Sequence, residues 1–247
     1  MICYIYDDSF EGLLTAVYEA YYNVNKPEEI TPEREFCHSL ITYPVYIETD
    51  LDKYNKVCNA MKNKISINFI RCVFYVFLSE LPRSSSLIYE YIKLGFKIGK
   101  DVDLHLNNNI VLAVHKIVKK VIIEYHKMLG FVRFKNIENE VFYADIKPDH
   151  NITILITPHF VKRFSSQKFI IHDLKREIAA IYNGEQWQIV FLTKELAINY
   201  KDKRQDDLYE MLWKDYFKSA SIENRKNSRL QKSWMPKRYW EFLTELN

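Results

Sequence analysis

Residues 107–135 read NNNIVLAVHKIVKKVIIEYHKMLGFVRFK, and the change of rhythm inside them decides the fold. Val111, Val114, Val118, Val121, Tyr125 and Met128 recur at three- and four-residue steps, which predicts a helix over about Asn107–Leu129. Several of these are β-branched, so burial against the rest of the chain, rather than helix propensity, must hold it together. Gly130 stands where a C′ glycine would end it. His115, Lys116, Lys119, Lys120, Glu124, His126 and Lys127 fall on its other faces in this reading.

Beyond Gly130 the period shortens toward two. Phe131–Lys135, Val141–Ile146 and Ile152–Ile156 read as strands, with Lys147-Pro148-Asp149-His150-Asn151 joining the last pair as a hairpin. Thr157-Pro158 reads as an N-cap and first-turn proline opening a helix over His159–Phe164. Phe169–His172, Ala179–Tyr182 and Gln186–Phe191 read as further strands, the last two joined at Asn183-Gly184. Polar Lys201–Asp206 leads into a helix over Leu208–Phe217. The expectation is an antiparallel sheet with flanking helices. No βα alternation repeats, so the class is α+β rather than doubly wound.

The front half reads differently. Ile2–Tyr6 is a short buried strand, and Asp7-Asp8-Ser9 offers an N-cap to a helix over Phe10–Tyr22, with Leu13, Leu14, Val17 and Tyr21 on one face. Asn23–Glu35, with two prolines and many charges, reads as a loop. Strand-like alternation at Tyr43–Thr49 precedes helices at Leu51–Lys64 and Ile67–Ser79. Leu81-Pro82-Arg83-Ser84 is the strongest break in this half. A mainly helical region over residues 1–100 and an α+β region over 101–247 are expected, as separate domains or as one continuous body.

Five glycines in 247 residues leave no glycine-rich phosphate loop and no dinucleotide fingerprint. Cys3, Cys37, Cys58 and Cys72 form no CxxC pair, which excludes zinc and iron–sulfur spacings. No metal or other cofactor is expected. Cys72, in the most apolar helix, reads as buried and inert. The opening residues lack a signal-peptide pattern and no apolar run is long enough to span a bilayer, so a reduced, cytoplasmic protein is expected. Neither GxSxG nor HExxH is found.

The charge is unevenly placed. Residues 1–100 carry 11 Lys/Arg against 13 Asp/Glu, and residues 101–247 carry 24 against 19. A polyanion partner would therefore meet the rear half. There, Arg225, Lys226, Arg229, Lys232, Lys237 and Arg238 contain no anion among them and are interleaved with Trp234, followed by Tyr239 and Trp240. Cations neutralise phosphates and flat aromatics stack on bases, so this stretch is the candidate nucleic-acid surface. The competing reading is a helix whose aromatics pack on its own domain.

Other candidates are more scattered. Glu124 and His126 lie two apart on a helix and do not face one another. Arg133, on a strand with Phe131 and Lys135, would give a cationic face. His159 and Arg163 lie four apart on one helix face and would suit a phosphate, with Phe160 and Phe164 anchoring the adjacent stripe. Asp145, Asp149, His150 and Asp173 are further acid/base candidates near the sheet.

Several segments together resemble a known family. They are Glu124-Tyr-His126 with Gly130-Phe-Val-Arg133-Phe134; Pro158-His159-Phe160 with Arg163-Phe164; Tyr182-Asn-Gly184; Met235-Pro236-Lys237-Arg238-Tyr239-Trp240; and the opening Tyr6-Asp-Asp-Ser-Phe-Glu-Gly-Leu-Leu. They are similar to a bacterial family labelled as a DNA-metabolism protein, whose rear half is a domain of unknown function. The resemblance implies work beside a radical-SAM protein of DNA modification or repair. Some relatives are fused to a uracil-DNA-glycosylase-like domain, which is not visible in this chain. Two further classes stay open: a nucleobase- or nucleotide-processing enzyme using Glu124, His126, Asp149 or His159 for proton transfer, and an adaptor that binds protein rather than DNA.

Overall fold

The computed structural model describes residues 1–137, 141–193, 208–222, 225 and 227–246. The chain divides into two compact units, Met1–Val121 and Ile122–Asn247.

The first unit is built on a three-stranded parallel sheet. Strand β1 (Ile2–Tyr6) is central, with β2 (Glu29–Pro32) on one side and β3 (Tyr43–Tyr46) on the other. Cys3, Tyr4, Ile5 and Tyr6 are all buried, as expected of a parallel strand covered on both faces. β2 lies inside the segment expected to be a loop. Its four residues, Glu-Ile-Thr-Pro, are too polar to announce a strand and are held by pairing with distant β1.

Helix α1 (Phe10–Tyr22) starts as expected, with the Ser9 hydroxyl accepting from Gly12 N. Gly12 is required there: a Cβ on it would sit 2.1 Å from Asp7 Oδ1. That carboxylate accepts from Ser9 Oγ at 2.6 Å and Thr49 Oγ1 at 2.7 Å. Leu13, Leu14, Ala16, Val17 and Ala20 form the helix's buried face, whereas Tyr21, expected on it, is exposed. Helices α2 (Leu51–Lys64), α3 (Ile67–Leu78) and α4 (Ser84–Ile98) follow, with Phe69 and Tyr91 stacked at 4.3 Å in the core. Cys72 is buried on α3, and burial pushes its thiol up to about 11.

Helix α5 (Asn109–Phe131) begins where Asn108 Oδ1 accepts from Ile110 N, and the division between the units falls within it. It runs through Gly130, which is therefore not a C′ residue. The Gly130 carbonyl is instead satisfied by the Arg133 guanidinium at 2.6 Å.

The second unit holds a five-stranded sheet in the order β4 (Lys135–Ile137), β5 (Val141–Ile146), β6 (Lys168–Asp173), β7 (Ile178–Tyr182), β8 (Trp187–Phe191). The fold class is α+β, as expected, but the sheet is mixed because β5 and β6 run parallel. A parallel pair needs a crossover, and helix α6 (Thr153–Arg163) supplies it. This corrects two expectations: Ile152–Ile156 is not a hairpin strand, and Pro158 lies inside the helix rather than at its start. The β-branched run has strand propensity, but burial of Ile156 and Phe160 on one face holds it helical, and the Thr157 hydroxyl finds its partner in the Thr153 carbonyl. Phe131–Lys135 is likewise no strand; β4 is three residues long and begins at Lys135. β7 and β8 form the expected hairpin, with Gly184 at φ +101°.

Phe160 and Phe164 anchor α6 as read from the sequence, with Phe134 edge-on to both at 5.2 and 5.0 Å. Helices α7 (Leu208–Ala220) and α8 (Ser228–Trp234) and a 3₁₀ turn (Lys237–Phe242) complete the unit. The polar run Lys201–Asp206 lies outside the described residues. Among the described residues no helix is long and apolar enough to cross a membrane.

Candidate functional site

Buried positions on α5 recur as Val111, Val114, Val118, Val121, Glu124 and Met128. Glu124 is thus in phase with the apolar stripe and 5 % exposed, not on a solvated face as its charge had suggested. A carboxylate there must be compensated fully. It accepts from Asp149 N at 2.7 Å, from His150 N at 2.9 Å and from the Tyr239 hydroxyl. Tyr239, only 1 % exposed, donates because burial and the neighbouring carboxylate hold its own proton on, well above the ordinary tyrosine value.

The turn that follows β5 is pinned from its other side as well. The Asp149 carbonyl accepts from Lys175 Nζ at 2.7 Å and from Arg176 at 2.8 Å, and the Pro148 carbonyl accepts from Arg176 at 3.3 Å. Arg176 is oriented by a 2.8 Å ion pair with fully buried Asp173. Burial raises the Asp173 carboxyl above its ordinary value, outweighing Arg176 and the two backbone N–H groups that favour its charge. Arg238 closes the arrangement. It pairs with Asp149 Oδ2 at 2.6 Å, lies 2.9 Å from the Tyr239 oxygen and covers the Tyr239 ring at 4.7 Å.

Above this framework lies an open hollow of about 510 Å³, lined by Lys147, Pro148, Asp149, Lys175, Lys237, Arg238 and Glu241. Four cations face two carboxylates, and among the described residues Lys147 and Lys237 have no ion-pair partner. Glu124 and Tyr239 lie beneath this surface and are committed to one another and to the turn. The arrangement is suited to holding an anion, since half-exposed Asp149 is already paired with Arg238.

The other expected residues lie elsewhere. His126 is exposed on α5 with its ring 5.0 Å from Tyr125, so it does not join Glu124. His159 and Arg163 are both exposed on α6, Arg163 lying 5.8 Å over Phe164. Arg133 holds no strand face: it makes a bidentate pair with Glu245 at 2.6 and 3.1 Å and lies 5.7 Å from the Trp213 ring. Asp145 and His172 meet through the Tyr143 hydroxyl, 2.7 Å from each, in a network buried in the sheet. Arg225, Arg229 and Lys232 are exposed without ion-pair partners among the described residues, and Lys226 lies outside them. Trp234 is 70 % exposed, while Trp240 is half-buried with its Nε1 donating to Met235 O at 2.8 Å. Among the described residues no three His, Cys, Asp or Glu side chains converge as a metal site would require.

Sequence reasoning passed over Lys147, Lys175, Arg176 and Glu241. The signal for the first was its place beside Pro148 in a turn; the others are solvated-looking charges whose convergence only the sheet order produces. A search of the curated proteins returns no match. Residues 82–245 match the model of a family described as a domain of unknown function, DUF4130, and because that match spans more than half of the chain, the chain belongs to this family.

Proposed function

We propose that this chain binds nucleic acid through the lysine-lined hollow and the cationic helix α8, as a cytoplasmic accessory of DNA repair or modification. The carrying observation is that Lys147 and Lys237 line an open hollow without carboxylate partners among the described residues, and that Lys237 lies three residues after exposed Trp234. Phosphates supply the missing counter-charge, and Trp234 offers a stacking face. Proton transfer is less favoured as a role, because Glu124 and Tyr239 already satisfy each other below the surface. The pairing with a radical-SAM partner is supported by the sequence resemblance. An adaptor role is the second reading, favoured by Met211, Leu212 and Tyr216, which leave one side of α7 apolar and exposed.

The test is fluorescence anisotropy with labelled single- and double-stranded DNA over a salt series. Binding should weaken linearly on a log–log plot, by about 0.9 per phosphate contacted for duplex and about 0.7 for single strands. Lys147→Glu and Lys237→Glu should each weaken all sequences alike. Binding indifferent to salt and to both substitutions would leave the adaptor reading ahead.

A further inference from the structure

The first unit carries a second cavity, unrelated to the hollow above. Helices α1, α2 and α4 enclose a pocket of about 240 Å³ lined by Val17, Tyr18, Tyr21, Tyr22, Lys56, Val57, Ala60, Lys64, Tyr89, Ile92, Lys93 and Phe96. Val17, Val57 and Ile92 are buried and make an apolar floor. Its walls are aromatic: Tyr18 and Tyr22 lie 4.5 Å apart, and Tyr21 meets Phe96 edge-on at 6.4 Å. Tyr21 and Tyr22 remain mostly exposed, so these rings are not consumed by the core.

The rim is cationic. Lys56, Lys64 and Lys93 lie 5.8, 5.9 and 5.0 Å from the rings of Tyr18, Phe96 and Tyr89. Among the described residues no carboxylate lines the pocket. Lys93 has Glu90 at 3.2 Å, but Lys56 and Lys64 have no ion-pair partner among the described residues. Those two lie two turns apart on α2, roughly 12 Å, so cations stand toward both ends of the pocket.

We infer that this pocket binds a mononucleotide, the base against the exposed faces of Tyr21 and Tyr22 and the phosphate against the lysine rim. Three observations select that class. Exposed tilted and edge-on aromatic rings match a planar heterocycle better than a flexible aliphatic chain. A carboxylate-free rim with unpaired lysines calls for an anion. The volume of about 240 Å³ takes one base, leaving the sugar and phosphate at the open rim, and has no room for an oligonucleotide. The inference rests on the first unit alone and stands independently of the hollow.

Isothermal titration calorimetry of the whole chain tests it, using adenosine 5′-monophosphate, with adenosine and inorganic phosphate as separate titrants. The expected result is saturable one-site binding by the monophosphate, at least tenfold tighter than by adenosine or phosphate. Lys64→Glu and Tyr22→Ala, both at exposed positions, should each weaken it at least fivefold. Lys62→Glu, the same charge change on the same helix away from the pocket, should stay within twofold. The inference is overturned if the wild type shows no saturable binding at millimolar monophosphate, or if phosphate alone binds equally well. It is also overturned if Lys237→Glu abolishes binding while Lys64→Glu does not, which would place the nucleotide in the hollow.

Discussion

Helix α8 and the 3₁₀ turn that follows it carry the same residue types, yet Trp234 in the first is 70 % exposed and Tyr239 in the second is 1 % exposed. No residue of α8 is buried. The turn is fastened instead by one hydroxyl reaching a buried carboxylate on α5, and its arginine is drawn to Asp149. The difference teaches that a run of cations and aromatics has no single role. Each ring is structural or available according to whether a buried polar group lies within reach of it.

The harshest way to break this comparison is to remove the carboxylate. Glu124→Ala strands two backbone N–H groups and the Tyr239 hydroxyl, and should cost about 3–4 kcal/mol of unfolding free energy in urea titration. A loss under about 1 kcal/mol would mean that the turn holds itself. Tyr239→Phe removes only the hydroxyl and should cost about 1.5–3 kcal/mol, the range for bonds to charged groups.

Acid titration sharpens the picture of the same segment's far end. Burial alone would raise the Glu245 carboxyl, but Arg133, a backbone N–H and the Trp213 indole hold it below its ordinary 4.5. The folded chain therefore keeps it ionised where the unfolded chain would take up a proton. Its contribution is full above about pH 4.5 and is lost as pH falls through the lowered folded value. Arg133→Met should remove that part of the acid dependence, on the order of 1 kcal/mol, in thermal melts between pH 3 and 6.

The smallest stability effects should come from the exposed half. Trp234→Ala, Lys147→Glu and Lys237→Glu should each stay within about 0.5 kcal/mol of wild type. If the nucleic-acid reading holds, each lysine change should also reduce the salt dependence of DNA affinity by about one unit. A Trp234→Ala variant that unfolds as readily as Tyr239→Phe would erase the distinction between the two segments.

Much of the local structure was legible in the residues. Ser9 as the cap of α1, the span of α2 and the Asn183–Gly184 turn are short-range chemistry, and the chain displays them directly. β2 and the first part of α6 were not legible, because both depend on parallel pairing between distant segments. Glu29–Pro32 is a strand only beside β1, and Thr153–Ile156 opens the helix that carries the chain across from β5 to the parallel β6. The site fared similarly. Glu124, Asp149 and Arg238 could each be named, but Glu124 was placed on a solvated face, since nothing local says that Tyr239 will come to meet it.

That meeting spans 115 positions, whereas β7 and β8 close over a few residues. Loop closure penalises the long contact, so it belongs to the late stages of folding and to the first stages of loosening. The hollow is then more perishable than the sheet beside it. In native-state hydrogen exchange the amides of Asp149 and His150, which depend on Glu124, should open at lower free energy than those of β6 and β7, and the chain should lose its grip on an anion before it loses its sheet.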